Sequence, residues 1–133
     1  MNRTLDFNQY QQGLEEDRLL GLRCKACATV TVPPQAVCRS CAGRDLAVEE
    51  LEMRGTLRSF TVIRVAAEGL TPPFVVALVE TASGAWVMGN MEEIDPDAVD
   101  MALMGRAVTI GSKSVPGDIY AVGDMRSLTF RLA

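Results

Sequence analysis

The sequence contains no histidine among its 133 residues. Histidine is the side chain most often used as a general base, and it completes the Ser-His-Asp and Cys-His arrangements that activate a nucleophile. It is also a common metal ligand. Its absence excludes these histidine-dependent catalytic centres from the chain, and any metal site must be built from other ligands.

An excess of positive charge is also lacking. Thirteen Lys and Arg residues are outnumbered by 17 Asp and Glu residues, which gives a net charge of −4, and aromatic residues make up only 5% of the chain. Proteins that hold nucleic acid through its phosphates need basic residues, and single-strand binders add aromatic side chains for stacking. We therefore expect no nucleic-acid partner.

Long apolar runs are missing as well. No stretch approaches 18 consecutive apolar residues, so we predict no membrane-spanning helix. The first 20 residues have no apolar segment after their positive charge, which is unlike a signal peptide. Because the hydrophobic fraction is 48% and the charged fraction 23%, the composition is that of a globular protein. We expect a cytoplasmic location, where thiols stay reduced.

The chain does have a dense group of cysteines between residues 24 and 41, arranged as two Cys-x-x-Cys pairs. Each pair can place two sulfurs on one tight turn, and two facing turns complete a tetrahedral site with four thiolates. Pro33 and Pro34 suit this geometry, because they force a turn and block a helix between the pairs. We predict a structural zinc ion with the ligands Cys24, Cys27, Cys38 and Cys41. A rubredoxin-type iron site has similar spacing and stays open as an alternative.

Other uses of these thiols are disfavoured. A thioredoxin-like Cys-x-x-Cys should open a helix after a strand, and neither pair does so. Disulfides are disfavoured by a reducing compartment. A metal closed by four thiolates has no free position for substrate or water, so we expect it to stabilise a small segment and to take no part in catalysis.

The remaining sequence predicts one helix at the start and strands after residue 55. Residues 6–18 place apolar side chains at helical spacing, with Asp6 as N-cap. This helix either packs on its own domain or reaches to a partner. Asp95 as N-cap, Pro96 and Gly105 predict a second short helix over residues 95–105. Strands are predicted at 55–65, 73–81, 84–91, 106–113 and 127–132.

Three strands, a helix and two strands follow one another in the order of an OB-fold, a five-stranded Greek-key barrel. The predicted fold is therefore mainly β, with an N-terminal helix and a four-cysteine zinc ribbon followed by a five-stranded OB-fold barrel. The expected boundaries are 1–19 for a helical arm, 20–46 for the ribbon and 47–133 for the barrel.

No catalytic residue is predicted, because the thiols are assigned to the metal and no recognised phosphate-binding motif occurs. The acidic residues between 92 and 100 are interpreted as a solvated loop and a helix N-terminus. On the first barrel strand, Arg58, Phe60 and Arg64 are expected to share one face, where they could bind an anionic, ring-bearing ligand or be solvated ends of a core strand. The candidate ligand-binding residues are Arg58, Phe60, Arg64, Phe74, Trp86 and Asn90.

Four segments together resemble a known family: "LRCKACATVTVPPQAVCRSCAGRDL", "RGTLRSFTVIRV", "PPFVVALVET" and "MGRAVTI". They are similar to the "domain of unknown function 35" family, in which a rubredoxin-like zinc ribbon precedes an OB-fold. The resemblance runs from about residue 6 to residue 132 and carries the metal-ligand role to the four cysteines. Ala28 and Ala42 depart from the pattern, because a glycine usually follows each cysteine pair.

The resemblance implies a non-catalytic, acyl-CoA-associated subunit that forms a hetero-oligomer with a thiolase-like enzyme, as in complexes similar to benzoylsuccinyl-CoA thiolase. Such a subunit would support the binding or turnover of an acyl-CoA, specifically a 3-oxoacyl-CoA, while the catalytic residues belong to the partner. Two alternatives are a nucleic-acid-binding protein of the same architecture and a stand-alone acyl-CoA-binding protein.

Overall fold

The chain begins with a capped helix. A computed structural model describes residues 5–66, 70–115 and 124–133, and in it helix α1 spans Phe7–Glu15. Asp6 Oδ1 accepts the backbone N–H of Gln9 at 2.7 Å, and Gln9 Oε1 accepts the backbone N–H of Asp6 at 2.9 Å. These two bonds form a capping box that satisfies donors left free at the helix start. The predicted helix and its N-cap are confirmed.

A three-stranded antiparallel sheet follows the helix. Its strands are β1 (Leu19–Cys24), β2 (Val30–Thr31) and β3 (Leu46–Leu51), in the order β2-β1-β3. The central strand pairs Leu22 with Thr31 on one side and with Val48 on the other. Between β2 and β3 the described chain has no strand or helix, so the sheet alone does not hold residues 32–45 in place.

The second half of the chain forms a closed five-stranded barrel, as predicted for an OB-fold. Its strands are β4 (Arg54–Ile63), β5 (Phe74–Thr81), β6 (Trp86–Met91), β7 (Ala107–Val115) and β8 (Met125–Leu132). They are ordered β4-β5-β6-β8-β7, and β4 closes the barrel against β7. The β6–β8 contact is parallel and pairs Met91 with Phe130. Nearby, a side chain at Gly89 would lie 2.5 Å from the Leu128 carbonyl oxygen, so this crossing requires glycine.

The predicted helix over 95–105 is wrong. Only a 3₁₀ turn, Met101–Leu103, forms there, preceded by a separate turn at residues 96–98. Asp95 does act as a cap, because its Oδ1 accepts the backbone N–H of Asp97 at 2.9 Å. Asp100 then interrupts any continuation, since its backbone is extended and its side chain accepts the N–H of Ala102 at 2.9 Å. Two aspartates that each cap their own turn replace one helix.

Helix α1 joins the sheet to the barrel. It packs on β1 and also on β7 and β8. Gln11 Nε2 donates to the Arg126 carbonyl oxygen at 3.2 Å, and Gln11 Oε1 accepts the Arg126 backbone N–H at 2.6 Å. The Ser112 hydroxyl donates to the Leu14 carbonyl oxygen at 3.1 Å. One contiguous cluster of buried side chains therefore runs through helix, sheet and barrel.

Candidate metal centre and binding residues

The four cysteine side chains meet in one place. Their Sγ atoms all lie within 4.8 Å of one another, with 3.6 Å between Cys24 and Cys41 and 3.5 Å between Cys27 and Cys38. A tetrahedral zinc site with Zn–S bonds of about 2.3 Å separates its sulfurs by about 3.8 Å. Disulfide-bonded sulfurs would be about 2.05 Å apart, and all four thiols are free. The arrangement fits one four-coordinate metal ion.

Two tight turns present these sulfurs. The Ala28 N–H donates to the Cys24 carbonyl oxygen at 2.9 Å, and the Ala42 N–H donates to the Cys38 carbonyl oxygen at 3.0 Å. Both alanines adopt left-handed backbone angles, with φ of 66° and 62°. This conformation favours glycine and costs an L-residue about 1–2 kcal/mol. The structure therefore keeps both turns despite the missing glycines.

The residue after the second turn is packed against the sulfurs. A side chain at Gly43 would lie 3.2 Å from Cys41 Sγ and 3.6 Å from Cys24 Sγ. The Gly43 carbonyl oxygen accepts the Cys38 N–H at 2.8 Å, which closes the loop around the site. Glycine at this position lets the backbone lie close to the metal ligands.

Half of the cluster is buried and half reaches the surface. Cys24 and Cys38 are 1% and 2% exposed, whereas Cys27 and Cys41 are exposed. Hydrogen bonds from the Thr29 hydroxyl and backbone lower the pKa of Cys27 to about 6, and backbone N–H groups of Cys41 and Ser40 lower the pKa of Cys38. Neighbouring groups thus stabilise the thiolate form, which is the form that binds metal.

Cys41, the fourth thiol, has a raised pKa when no cation balances the charge of the cluster. The Gly43 backbone lowers the pKa of Cys41, but hydrogen bonds with the Cys24 and Cys27 thiols raise it to about 12. Four thiolates this close repel one another, and a divalent cation removes the repulsion and deprotonates coordinating thiols. The donor set fits zinc, and a zinc ion held by all four cysteines would have no open position for substrate or water, as in structural zinc sites.

The candidate ligand-binding residues do not form one site. A β-bulge at Arg58 shifts the register of β4, so that Leu57 and Phe60 both lie on the inner side. Phe60 packs against the core, while Arg58 faces outward and donates to Glu80 Oε1 at 2.9 Å. The expectation that Arg58 and Phe60 share a face is therefore wrong, because it assumed an uninterrupted two-residue period.

The other candidates are spread over the barrel exterior. Arg64 donates to Asp97 Oδ1 at 2.8 Å, so its charge is already paired. Phe74, Trp86 and Asn90 point outward on β5 and β6, opposite the buried positions of those strands. Whether any of the six binds a ligand stays a prediction.

A cavity of about 540 Å³ lies at the seam of β4 and β7. Of the six candidates only Arg58 lines it, together with Arg54, Glu52 and Glu80. Both arginines are paired there, Arg54 with Glu52 and Arg58 with Glu80, each at 2.9 Å. A ligand anion would have to compete with these carboxylates, so the cavity is not a ready anion site.

The acidic stretch 92–100 has structural partners. Glu92 pairs with Lys113 at 3.1 Å and Glu93 with Arg131 at 3.9 Å. Asp95 and Asp100 accept backbone N–H groups, as described above. Among the described residues, the four cysteines are the group with metal-ligand geometry. Interpretation of the acidic stretch as a surface loop agrees with these contacts.

Sequence reasoning missed one feature of the barrel exterior. Positions on β5 and β6 that face outward are as apolar as those that face inward, as described further below. The signal was present in the uninterrupted apolar run "FVVALV" at 74–79, which is typical of a strand covered on both faces.

In the described ranges 5–66, 70–115 and 124–133 there is no helix long and apolar enough to cross a bilayer.

Family models match both halves of the chain. The "ChsH2, rubredoxin-like zinc ribbon domain" model matches residues 11–47, and the "ChsH2, C-terminal OB-fold domain" model matches residues 48–112. The ribbon match begins within helix α1 and contains all four cysteines. The two models are adjacent and in the same order as the sheet and the barrel.

Curated relatives carry scaffold and subunit names. A "DUF35 domain-containing scaffold protein" of Methanocaldococcus jannaschii is 31% identical over 94 residues, covering 68% of this chain and 66% of the relative. The "Benzoylsuccinyl-CoA thiolase subunit BbsA" of Geobacter metallireducens is 30% identical over 78 residues, covering 58% of this chain and 53% of the relative. The match thus spans slightly less than two thirds of the first relative and about half of the second.

A solved structure shares the whole arrangement. A chain of the "Ltp2-ChsH2(DUF35) aldolase" superposes with a TM-score of 0.70 and 27% identity, covering 99% of this chain and 96% of that chain. The two chains therefore share one fold over nearly their whole lengths.

Proposed function

Since the chain belongs to the DUF35 family of ChsH2-type proteins, which join a rubredoxin-like zinc ribbon to an OB-fold, we propose that it is a non-catalytic subunit of a thiolase-type acyl-CoA enzyme. The observation that carries this proposal is the use of its thiols. All four cysteines converge on one closed site, and the sequence holds no histidine. The chain therefore has neither a cysteine outside this site to attack a thioester nor a histidine to accept a proton from it.

The substrate class of the proposed complex is an acyl-CoA, and a 3-oxoacyl-CoA in particular. Two names support the acyl-CoA class: a benzoylsuccinyl-CoA thiolase subunit and a "Probable enoyl-CoA hydratase alpha subunit" of Thermomonospora curvata. The narrower class, a 3-oxoacyl-CoA, is supported by the thiolase name alone. In the complex, a catalytic chain would supply the nucleophile and the base, and this chain would shape or complete the assembly.

Reconstitution tests the proposal. Each thiolase-type chain encoded in the source genome is produced alone and together with this chain, and CoA-dependent cleavage of 3-oxoacyl-CoA substrates is measured. We expect one catalytic chain to co-purify at a fixed stoichiometry, and its activity to fall at least tenfold when this chain is withheld. The isolated chain should turn over nothing.

Two results would contradict the proposal. If the isolated chain cleaves the thioester, it is itself an enzyme. If it elutes at its monomer mass of 14.4 kDa after production with every thiolase-type chain, it is not a subunit of such an enzyme. Calorimetric titration of the isolated monomer with acetoacetyl-CoA then distinguishes a stand-alone acyl-CoA-binding protein, which should bind it, from a subunit that acts only in a complex.

A further inference from the structure

The outward side of β5 and β6 carries an apolar surface, which we call the β5–β6 face. Along β5 and β6, burial alternates from one residue to the next, and the inward positions form the barrel core. The outward positions between them are also apolar in five cases, and Trp86 and Met88 are 48% and 64% exposed. The members of the face are Phe74, Val76, Leu78, Trp86 and Met88.

These side chains are neighbours across the strands. Leu78 is directly opposite Met88, and Phe74 is opposite Ile63 of β4. Directly opposed residues on one face of an antiparallel pair are within contact distance. The five side chains therefore form a continuous surface that extends onto β4.

The exterior of β7 is more polar, with Thr109 and Lys113 exposed. Strand β8 is mixed, because Arg131 is exposed and so are Met125 and Leu132, at 38% and 37%. An outer face that is mainly polar is usual for an antiparallel sheet with one face in water. The β5–β6 face departs from it most, since Met88 and Trp86 are more exposed than either apolar side chain of β8. A large exposed apolar patch with a polar rim marks an interaction surface.

The shape and charge of the face indicate what it binds. Small ligands prefer concave sites that bury most of their surface, whereas this face is the convex outside of a sheet. The cavity of about 540 Å³ includes neither Trp86 nor Met88. At its edge Glu80, opposite Trp86, is neutralised by Arg58. The face therefore has no net charge of its own, and it exposes an aromatic and a methionine, which are enriched in protein–protein interfaces.

We propose that the β5–β6 face is the surface on which the catalytic partner chain docks, with Trp86 and Met88 as its anchors. This inference rests on the proposed function. A different chain suits the face better than a second copy does, because each copy carries a net charge of −4 and two copies would repel each other. The matching patch on the partner should be apolar and surrounded by neutral or basic side chains.

Trp86 is the only tryptophan in the chain, so its fluorescence reports on this face directly. The experiment measures the dissociation constant between the zinc-loaded full chain and the thiolase-type chain with which it co-purifies, by titration of that emission and by calorimetry. The variant Trp86→Ser with Met88→Ser removes both anchors, and Met88→Lys alone places a charge on the face. Met101→Ser is the matched control, because Met101 is also exposed, at 74%, but lies on the 3₁₀ turn.

We expect the Trp86 emission of the wild type to shift to shorter wavelength on complex formation. We expect affinity to fall about 30-fold or more for the double variant, since truncated aromatic anchors at interface centres have effects of this size. Met88→Lys should weaken binding at least tenfold, and Met101→Ser should leave it within about twofold. Zinc content and urea unfolding of each variant confirm that the fold is intact.

Four results would overturn the inference. If the double variant and Met88→Lys both bind as tightly as the wild type, the partner docks elsewhere while the proposed function stands. If light scattering shows a homodimer that the double variant dissociates, a second copy covers the face. If acetoacetyl-CoA shifts the Trp86 emission of the isolated chain, the face is a ligand site. If no thiolase-type chain binds at all, the proposed function fails, and this inference fails with it.

Discussion

The ribbon sheet and the barrel are stabilised by different means within one small chain. The barrel has a closed ring of five strands and a core that includes Phe130 and Leu57, both fully buried. The ribbon has three strands, one of only two residues, and two of its buried side chains, Cys24 and Cys38, belong to the four-cysteine cluster. We therefore expect the barrel to be stabilised mainly by hydrophobic burial and the ribbon to depend also on a metal ion held by its four cysteines.

The comparison also shows where the two regions are coupled. Helix α1 lies against β1 of the ribbon and against β7 and β8 of the barrel, and the buried cluster is continuous through it. Substitutions at a cysteine of the ribbon and at a core side chain of the barrel therefore test each region separately. A substitution in the helix tests the contact between them.

Removing the metal should have the largest effect. In Cys38→Ala the site loses a buried ligand, and zinc binding of about 10 kcal/mol or more is no longer available to stabilise the ribbon. We expect the chain to lose its one equivalent of zinc, and residues 19–51 to lose hydrogen-exchange protection while β5 and β6 keep theirs. Ser40→Ala, between two ligands, is the control and should retain zinc. Loss of protection in β5 and β6 together with the ribbon would show one cooperative unit.

Removing the largest core side chain of the barrel should have the next largest effect. Phe130→Ala deletes a fully buried ring beside the parallel β6–β8 contact, which costs about 3–5 kcal/mol. The urea midpoint followed by Trp86 emission should fall accordingly, while zinc content in the absence of urea stays at one equivalent. Met101→Ala at an exposed position should change stability by less than about 0.5 kcal/mol. Zinc loss from Phe130→Ala in native buffer would mean that the ribbon requires an intact barrel.

The sequence predicted the parts of the fold that depend on local chemistry. Four cysteines at fixed spacing, an aspartate before an amphipathic helix and alternating strand residues each have a short-range physical cause. The predicted convergence of the four cysteines, the Asp6 cap and the barrel agree with the structure.

Errors arose where longer-range geometry decided the outcome. The bulge at Arg58 lies in a strand that bends to pair with both β5 and β7. No glycine or proline at that position indicates the bulge in the sequence. Asp100 is compatible in sequence with a helix interior and with an N-cap, and the structure gives it an extended backbone and a capping role. The contacts of Gln11 with Arg126 join residues 115 positions apart, beyond any local pattern.

Weakening the helix connection should have an intermediate effect. Gln11→Ala removes both hydrogen bonds to the Arg126 backbone and leaves that N–H and C=O in a partly buried position, which costs about 1–3 kcal/mol. Because α1 touches ribbon and barrel, hydrogen exchange should increase in α1, β1 and β8 together. Gln12→Ala, on the exposed side of the same helix, should leave exchange unchanged. An increase confined to α1 would mean that the helix does not couple the two regions.

The smallest effect is expected from a surface ion pair within the ribbon. Arg23 donates two hydrogen bonds of 2.7 Å to Glu49 across β1 and β3, and this contact lowers the pKa of the Glu49 carboxyl below its usual 4.5. A lowered folded-state pKa stabilises the protein above the ordinary carboxyl pKa, and that stability is lost as the pH falls through the lowered value. Because about a third of each side chain stays exposed to solvent, which screens the pair, Glu49→Gln should cost only about 1 kcal/mol at pH 7, and less in 1 M salt. Urea unfolding followed by zinc release would measure this, with the exposed Glu15→Gln as control. A cost that does not change with salt would assign the effect of Glu49→Gln to lost packing, because a partly exposed ion pair should weaken when its charges are screened.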